Sequence, residues 1–232
     1  MFISKNLNKL ENELGIVFKN KNLLQQAFVH RSYLNEHPNC GFEQNERLEF
    51  LGDAVLELSV TKYLYEKYHN PEGVLTVWRA ALVNSKMLSQ VAQKIRLDDF
   101  LLFSKGEAKD TGRARQFILA NTFEALVGAI YLDQGLEKVD KFIKTHLIKE
   151  LPIILEKKLY RDPKSTFQEK AQDKEGITPT YEVLLENGPD HAKQFIVGVF
   201  LGDELVAKGK GPSKQIAQER AADAATKKKQ WG

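Results

Sequence analysis

The sequence predicts an all-α domain over residues 1–158, a short linker at 159–163, and a small α+β domain over 164–232 in the order α-β-β-β-α. Two observations carry this. Up to the polar stretch KKLYRDPK, apolar residues recur at spacings of three and four and show no alternation. Beyond it, three segments rich in β-formers stand between two helical ones.

In the first domain the helical segments are 6–14, 20–28, 45–68, 76–93, 115–133 and 136–150, parted by breaks such as HNPEG and KGEAKDTG. In the second, a helix at 164–174 precedes TPTYEVLLE, AKQFIVGVFL and ELVAKGKG. NGPDH and GDE bound these segments, as turns bound hairpin-linked antiparallel strands, and a last helix runs from Ser213 to Lys228. Phe167, Phe195, Ile216, Ala217, Ala221 and Ala225 are the expected core of the small domain.

With 232 residues and 42% hydrophobic content, the chain can bury a real core. It has no apolar run of about 18 residues, and its start, MFISKNLNKLENELG, lacks the basic, apolar and small-residue order of a secretory signal. A cytoplasmic protein with no membrane partner is expected. The single cysteine, Cys40, in the turn-like HPNCG, forbids an internal disulfide and fits a reducing compartment. Net charge is only +3, so bulk charge does not announce a polyanion, but KGKGPSKQ and TKKKQ are locally basic and one helix is locally acidic.

That acidic helix contains NERLEFLGDAVLE. Glu46, Glu49 and Asp53 stand at offsets of three and four, which gathers them within about 60° of one another, with Leu48, Leu51, Val55 and Leu58 opposite. Like charges so placed repel and stabilise nothing on a helix surface, so an arginine, a lysine or a metal ion is expected beside them. In a second helix, ARQFILANTFEALVGAIYLDQG, Asn121 and Glu124 stand three apart among Phe117, Ile118, Phe123, Leu126, Val127 and Ile130. If the two helices pack together, Glu49, Asp53, Asn121 and Glu124 converge into an all-oxygen cage suited to Mg²⁺ or Mn²⁺. Such cages serve phosphodiester hydrolysis, where divalent ions activate a water and stabilise the leaving oxygen. The alternative is a solvated acidic face balanced by residues such as Arg47, with Asn121 and Glu124 as an interhelical hydrogen-bonding pair. Periodicity alone leaves both readings open.

In the small domain, Thr166, Gln168, Glu169 and Gln172 in the first helix, His191 in the NGPDH turn, and Lys210 and Lys214 in KGKGPSKQ are candidate RNA contacts. Helix and turn suit two successive shallow minor grooves of A-form RNA. The lysines and a helix N-terminus suit the phosphates between them, a span of about 16 base pairs. Taken singly, His191 is an ordinary turn residue and Ser213 an ordinary N-cap.

NERLEFLGDAVLE closely resembles the signature of the ribonuclease III family. AFVHRSYLNEH, PEGVLTVWRAALVN, GRARQFILANTFEALVGAIYLD and a C-terminal stretch with QE, GPDH and GPSKQIAQERAA fall in that family's order. The resemblance covers nearly the whole chain. It implies a ribonuclease III endonuclease fold followed by a double-stranded-RNA-binding domain, and hydrolysis of double-stranded RNA to 5′-phosphate and 3′-hydroxyl ends with two-nucleotide 3′ overhangs. It also implies processing of ribosomal RNA precursors and other structured RNAs. Metal ligation falls to Glu49, Asp53, Asn121 and Glu124, and catalytic roles to Asp53, Glu124 and Glu46, with Glu72 of the PEG turn a weaker member. Mg²⁺ is the implied cofactor, with Mn²⁺ able to substitute and no organic cofactor. A homodimer is implied, built on the signature helix. Two departures stand out. Asn121 occupies a position where the family usually carries aspartate, which removes one charge from the cage, and Gln215 stands where a second basic residue is common. The alternative to a working enzyme is a catalytically weakened RNA-binding or ribosome-associated protein with Asn121 as its mark.

Overall fold

The computed structural model describes residues 2–107, 112–160, 162–189 and 193–231, which form two compact units, Met1–Tyr160 and Arg161–Gly232. The first is helical: α1 (Phe2–Leu14), α2 (Lys21–Ala27), α3 (Arg31–Glu36), α4 (Glu46–Lys67), α5 (Glu72–Val83), α6 (Ser85–Lys94), α7 (Arg113–Gln134), α8 (Leu136–His146) and α9 (Leu151–Glu156). Short 3₁₀ turns, Leu97–Phe100 and Ile148–Glu150, link some of them. The second unit holds α10 (Pro163–Glu175), strands β1 (Thr180–Asn187), β2 (Gln194–Leu201) and β3 (Glu204–Gly211), and α11 (Lys214–Lys228).

Local chemistry explains most boundaries. Glu46 and Glu49 lie in the first turn of α4 and Lys67 in its last, each favourable to the helix dipole. Asn45, buried before α4, donates its side-chain amide to the Ala27 carbonyl (3.2 Å) and its backbone N–H to Val29 (2.9 Å), which fixes where the acidic turn starts. α7 stops at Gly135, whose φ of +82° favours glycine. The single segment expected over 76–93 is two helices. Asn84 breaks it, accepting from Met87 N (2.9 Å) as the N-cap of α6 while donating back to the Ala80 and Ala81 carbonyls. The helix α3 has no counterpart among the expected segments. Its N-cap, His30, accepts from Ser32 N through the ring Nδ1.

The core of the first unit forms around α4 and α7. Leu56, Val60, Leu64, Leu119, Phe123, Leu126 and Ile130 are all buried there, and the ring of Phe142 in α8 packs tilted against Phe123, with centres 5.6 Å apart. The two long helices touch through their main chains. A Cβ added at Gly52 would lie 2.9 Å from Gly128 N and closer still to the Glu124 carbonyl, and one at Gly128 would lie 3.1 Å from Gly52 N and closer still to the Leu48 carbonyl. Side chains at either position are therefore excluded. This crossing rotates the buried stripe of α4 away from the one expected. Leu48, Gly52, Val55, Leu56 and Ser59 are buried, whereas Leu58 is 54% exposed and the acids flank the stripe instead of opposing it.

In the second unit Asp162 caps α10, accepting from Lys164 N (3.3 Å) and Ser165 N (3.2 Å) ahead of Pro163 in the first turn. Gly176, in the left-handed conformation, ends it. The sheet is antiparallel in the order β1-β2-β3, with Val183 opposite Val197 and Gly209 opposite Val197 on the other side. α10 and α11 cover one face, burying Phe167, Ala171, Val199, Leu201, Val206, Ala221, Ala222 and Ala225. Gly209 and Gly211 of β3 lie against the backbone of α11 near Ala217, so the helix rests directly on the strand.

Gly128→Ala should lower the stability of the first unit by about 3 kcal/mol, because neither backbone can retreat without opening the core. Thermal unfolding of the full chain checks this: a melting curve that coincides with that of the parent would show that the crossing tolerates a methyl group.

Candidate active site and nucleic-acid interface

The glycine crossing decides which side chains meet. Gly52 is flanked by Glu49 and Asp53, a turn before and one residue after, while Glu124 precedes Gly128 by one turn and Asn121 lies a turn further back. Main-chain contact between Gly52 and Glu124 brings the two acidic faces together at one edge of the helix pair. Asp53 and Glu46 are exposed, and Glu49, Asn121 and Glu124 are half-buried.

The electrostatics record that convergence. The Glu124 carboxyl is pushed up to about 8, first by burial and then by the charges of Asp53 and Glu49. Glu49 is also raised, by burial, Glu46 and Asp53, against a lowering hydrogen bond from the Asn121 side chain. Glu46 is partnered by Arg31 at 3.7 Å, not by Arg47. Four of the candidates, Glu49, Asp53, Asn121 and Glu124, thus act on one another across the helix pair, with Glu46 at its rim. Glu72 lies apart at the start of α5, its carboxylate accepting from Thr76 Oγ1 at 2.9 Å.

Every donor in this set is a hard oxygen, and the raised carboxyls mark a place deficient in positive charge, so the residues fit a hard divalent cation. Among the described residues, no three Asp, Glu, His or Cys side chains are drawn together tightly enough to hold an ion by themselves. Sequence reasoning missed Gly52 and Gly128, the residues that set the geometry; the signal available was two glycines inside long helices, where glycine costs stability and needs a packing reason.

On the second unit, α10 presents Gln168, Glu169 and Gln172 exposed and Thr166 half-buried. Gln172 accepts from Thr178 Oγ1 at 3.3 Å. Lys210, at the end of β3, and Lys214, at the start of α11, are both exposed. The Lys210 carbonyl is tied by Arg220 Nη1 (2.6 Å), and the Lys214 ammonium lies 5.7 Å from the Phe195 ring centre. Ser213 caps α11 by accepting from Ile216 N at 3.3 Å. Gln215 is turned to Glu219, donating at 3.1 Å, and adds no charge to this corner. His191 lies outside the described residues.

Comparison with known proteins gives both units a family. Residues 20–151 match the ribonuclease-III-like family model and residues 163–229 the double-stranded RNA binding motif. The chain is 44% identical to ribonuclease 3 of Pelotomaculum thermopropionicum, over 97% of this chain and 94% of that one. It is 43% identical to ribonuclease 3 of Nitratiruptor, over 96% of each. Among solved structures, the nuclease domain of ribonuclease III from Campylobacter jejuni matches with a TM-score of 0.56 and 41% identity, over 62% of this chain and 97% of that one; that protein has a flexible region involved in dimer formation. No helix among the described residues is long and apolar enough to cross a membrane.

Because the folded pKa of Glu124 lies above its unfolded value, ionising it costs folding free energy. In metal-free buffer, the contribution of this carboxyl to stability should be fully present below the ordinary glutamate range and be lost as pH rises from about 4.5 towards 8. Glu124→Gln should flatten that slope and raise the melting temperature at pH 8. Equal pH dependence in both proteins would mean the carboxyl is not held in this way.

Proposed function

The chain belongs to the ribonuclease III family, and we propose that it is a homodimeric, Mg²⁺-dependent endoribonuclease whose cutting centre is the carboxylate cluster between α4 and α7. The observation that carries this is the shared electrostatics of Glu49, Asp53 and Glu124 at the glycine crossing. Glu49, Asp53, Asn121 and Glu124 would hold the cation, Mg²⁺ or in its place Mn²⁺, which when bound would supply Lewis acidity for water activation and for charge developing on the phosphate. Asn121 presents an amide oxygen where a carboxylate would add charge, so it orients without accepting a proton. Glu46, anchored by Arg31, stands at the exposed rim where water and substrate approach. Burial, with the charges of Asp53 and Glu49, pushes the Glu124 carboxyl up to about 8, so that it is mostly protonated at neutral pH in the absence of a cation.

The second unit supplies duplex binding by shape, with Thr166, Gln168, Glu169 and Gln172 on minor-groove hydroxyls, Lys210 and Lys214 on phosphates, and His191 as a further contact. Substrates are structured transcripts in the cytoplasm, above all ribosomal RNA precursors, cut to leave 5′-phosphate and 3′-hydroxyl ends with two-nucleotide 3′ overhangs.

Two staggered cuts need two clusters related by a dyad, and α4 supports such an assembly. Beside the acids it carries Phe50 (83% exposed), Leu58 and Tyr65 (76% exposed), an apolar stripe that the first unit leaves in water. Sedimentation at micromolar concentration should give the mass of a dimer, and a stable monomer would remove the paired-site reading.

The deciding experiment incubates the full chain with a perfect RNA duplex and Mg²⁺. Staggered cleavage is expected, with Glu124→Ala binding the duplex but leaving it whole. Asn121→Asp should reach half-maximal cleavage at about tenfold lower Mg²⁺. Binding with no cleavage by the parent protein at any Mg²⁺ or Mn²⁺ concentration would favour the RNA-binding reading, with Asn121 as the site of lost catalysis.

A further inference from the structure

The second unit has a cation that joins its two RNA-facing helices. Lys164 lies half-buried in the first turn of α10, at the border between the buried Phe167 and Ala171 and the exposed Gln168 and Gln172. Its ammonium does not remain on that helix. It donates to Gln218 Oε1 at 2.8 Å, on the α11 face that also bears Lys214 one turn earlier, and it lies 5.0 Å from the centre of the Tyr181 ring. The ring face and the amide oxygen hold the charge in place, and neither neutralises it. The nearest acid in sequence, Asp162, is engaged by the backbone N–H groups of Lys164 and Ser165 and by the Ser165 hydroxyl at 2.7 Å; its charge also acts on Lys164, without an ion pair between them. Other lysines of this unit are committed differently: Lys227 pairs with Asp223, and Lys229 with Glu175 and Glu204.

We propose that Lys164 is a phosphate-binding residue for duplex RNA, completing with Lys210 and Lys214 the positive corner that Gln215 leaves one charge short. The chemistry suits the anions of a nucleic-acid strand, because Gln218, which holds the Lys164 ammonium, lies one helical turn after Lys214 on α11, and both cations are left for a negative partner. Lys164 then belongs to both recognition elements. It sets the distance between the groove-facing amides of α10 and the phosphates at α11, so duplex width is measured by a fixed charge rather than by a flexible side chain.

This inference rests on the RNA-binding reading of the second unit, and its test separates the two. In the full chain carrying Glu124→Ala, so that RNA stays whole, binding of a duplex longer than about 16 base pairs is measured across a salt series. Lys164→Gln should lower the slope of log K against log salt by about 0.9, the share of one phosphate contact, while Lys164→Arg keeps the parent slope. Gln218→Ala removes the amide but not the charge and should also keep it. Unfolding curves for each variant confirm that the second unit stays folded. An unchanged slope in Lys164→Gln, or an equal loss in Gln218→Ala, would make Lys164 a structural tether and overturn the proposal. Lys214→Gln is the control: if it too leaves the slope unchanged, the RNA surface itself is misplaced, and if it alone lowers the slope, only the role of Lys164 is lost.

Discussion

The contact between the main chains of α4 and α7 is the constraint on which the first unit depends. Helices separated by ordinary side chains stand 8–10 Å apart. Gly52 and Gly128 remove the side chains at the point of closest approach, so the Glu124 and Leu48 carbonyls pack where methyl groups would otherwise lie. Glu124 is thereby half-buried beside Asp53 and Glu49, and that burial, with their charges, raises its pKa. Burial of Leu56, Phe123, Leu126 and Ile130 around the crossing supplies the free energy that holds the acids together against their repulsion. The site is a local expense that the core offsets.

The second unit uses the same device for a different end. Gly209 and Gly211 let α11 rest on β3 without intervening side chains. Arg220 then reaches the Lys210 carbonyl, and Ser213 caps the helix beside it. The end of a strand and the start of a helix become one rigid corner, with both lysines facing solvent. Rigidity matters here because recognition by shape requires charges that do not follow the ligand.

Much of this was legible in the sequence, for reasons particular residues make clear. The long helices and the α-β-β-β-α order follow from periodicity, and Glu49, Asp53, Asn121 and Glu124 stand out because polar groups in apolar helices need partners. What escaped the sequence was orientation. Leu58 shares a helical face with Leu51 on paper, yet α7 crosses at Gly52, and the buried stripe turns until Leu58 and Phe50 lie in water. The break at Asn84 was hidden because α5 and α6 continue a similar apolar rhythm, and only the cap geometry separates them. Lys164 looked like one charge among many, since nothing in its neighbours announces that it reaches Gln218, 54 residues away.

The raised carboxyl of Glu124 makes the acidic cluster a small acid store at neutral pH. Whatever positive charge settles there must evict a hydrogen ion, so acidity and divalent metal compete for the same oxygen. A fall in pH and a shortage of positive charge therefore act on this carboxyl in the same direction.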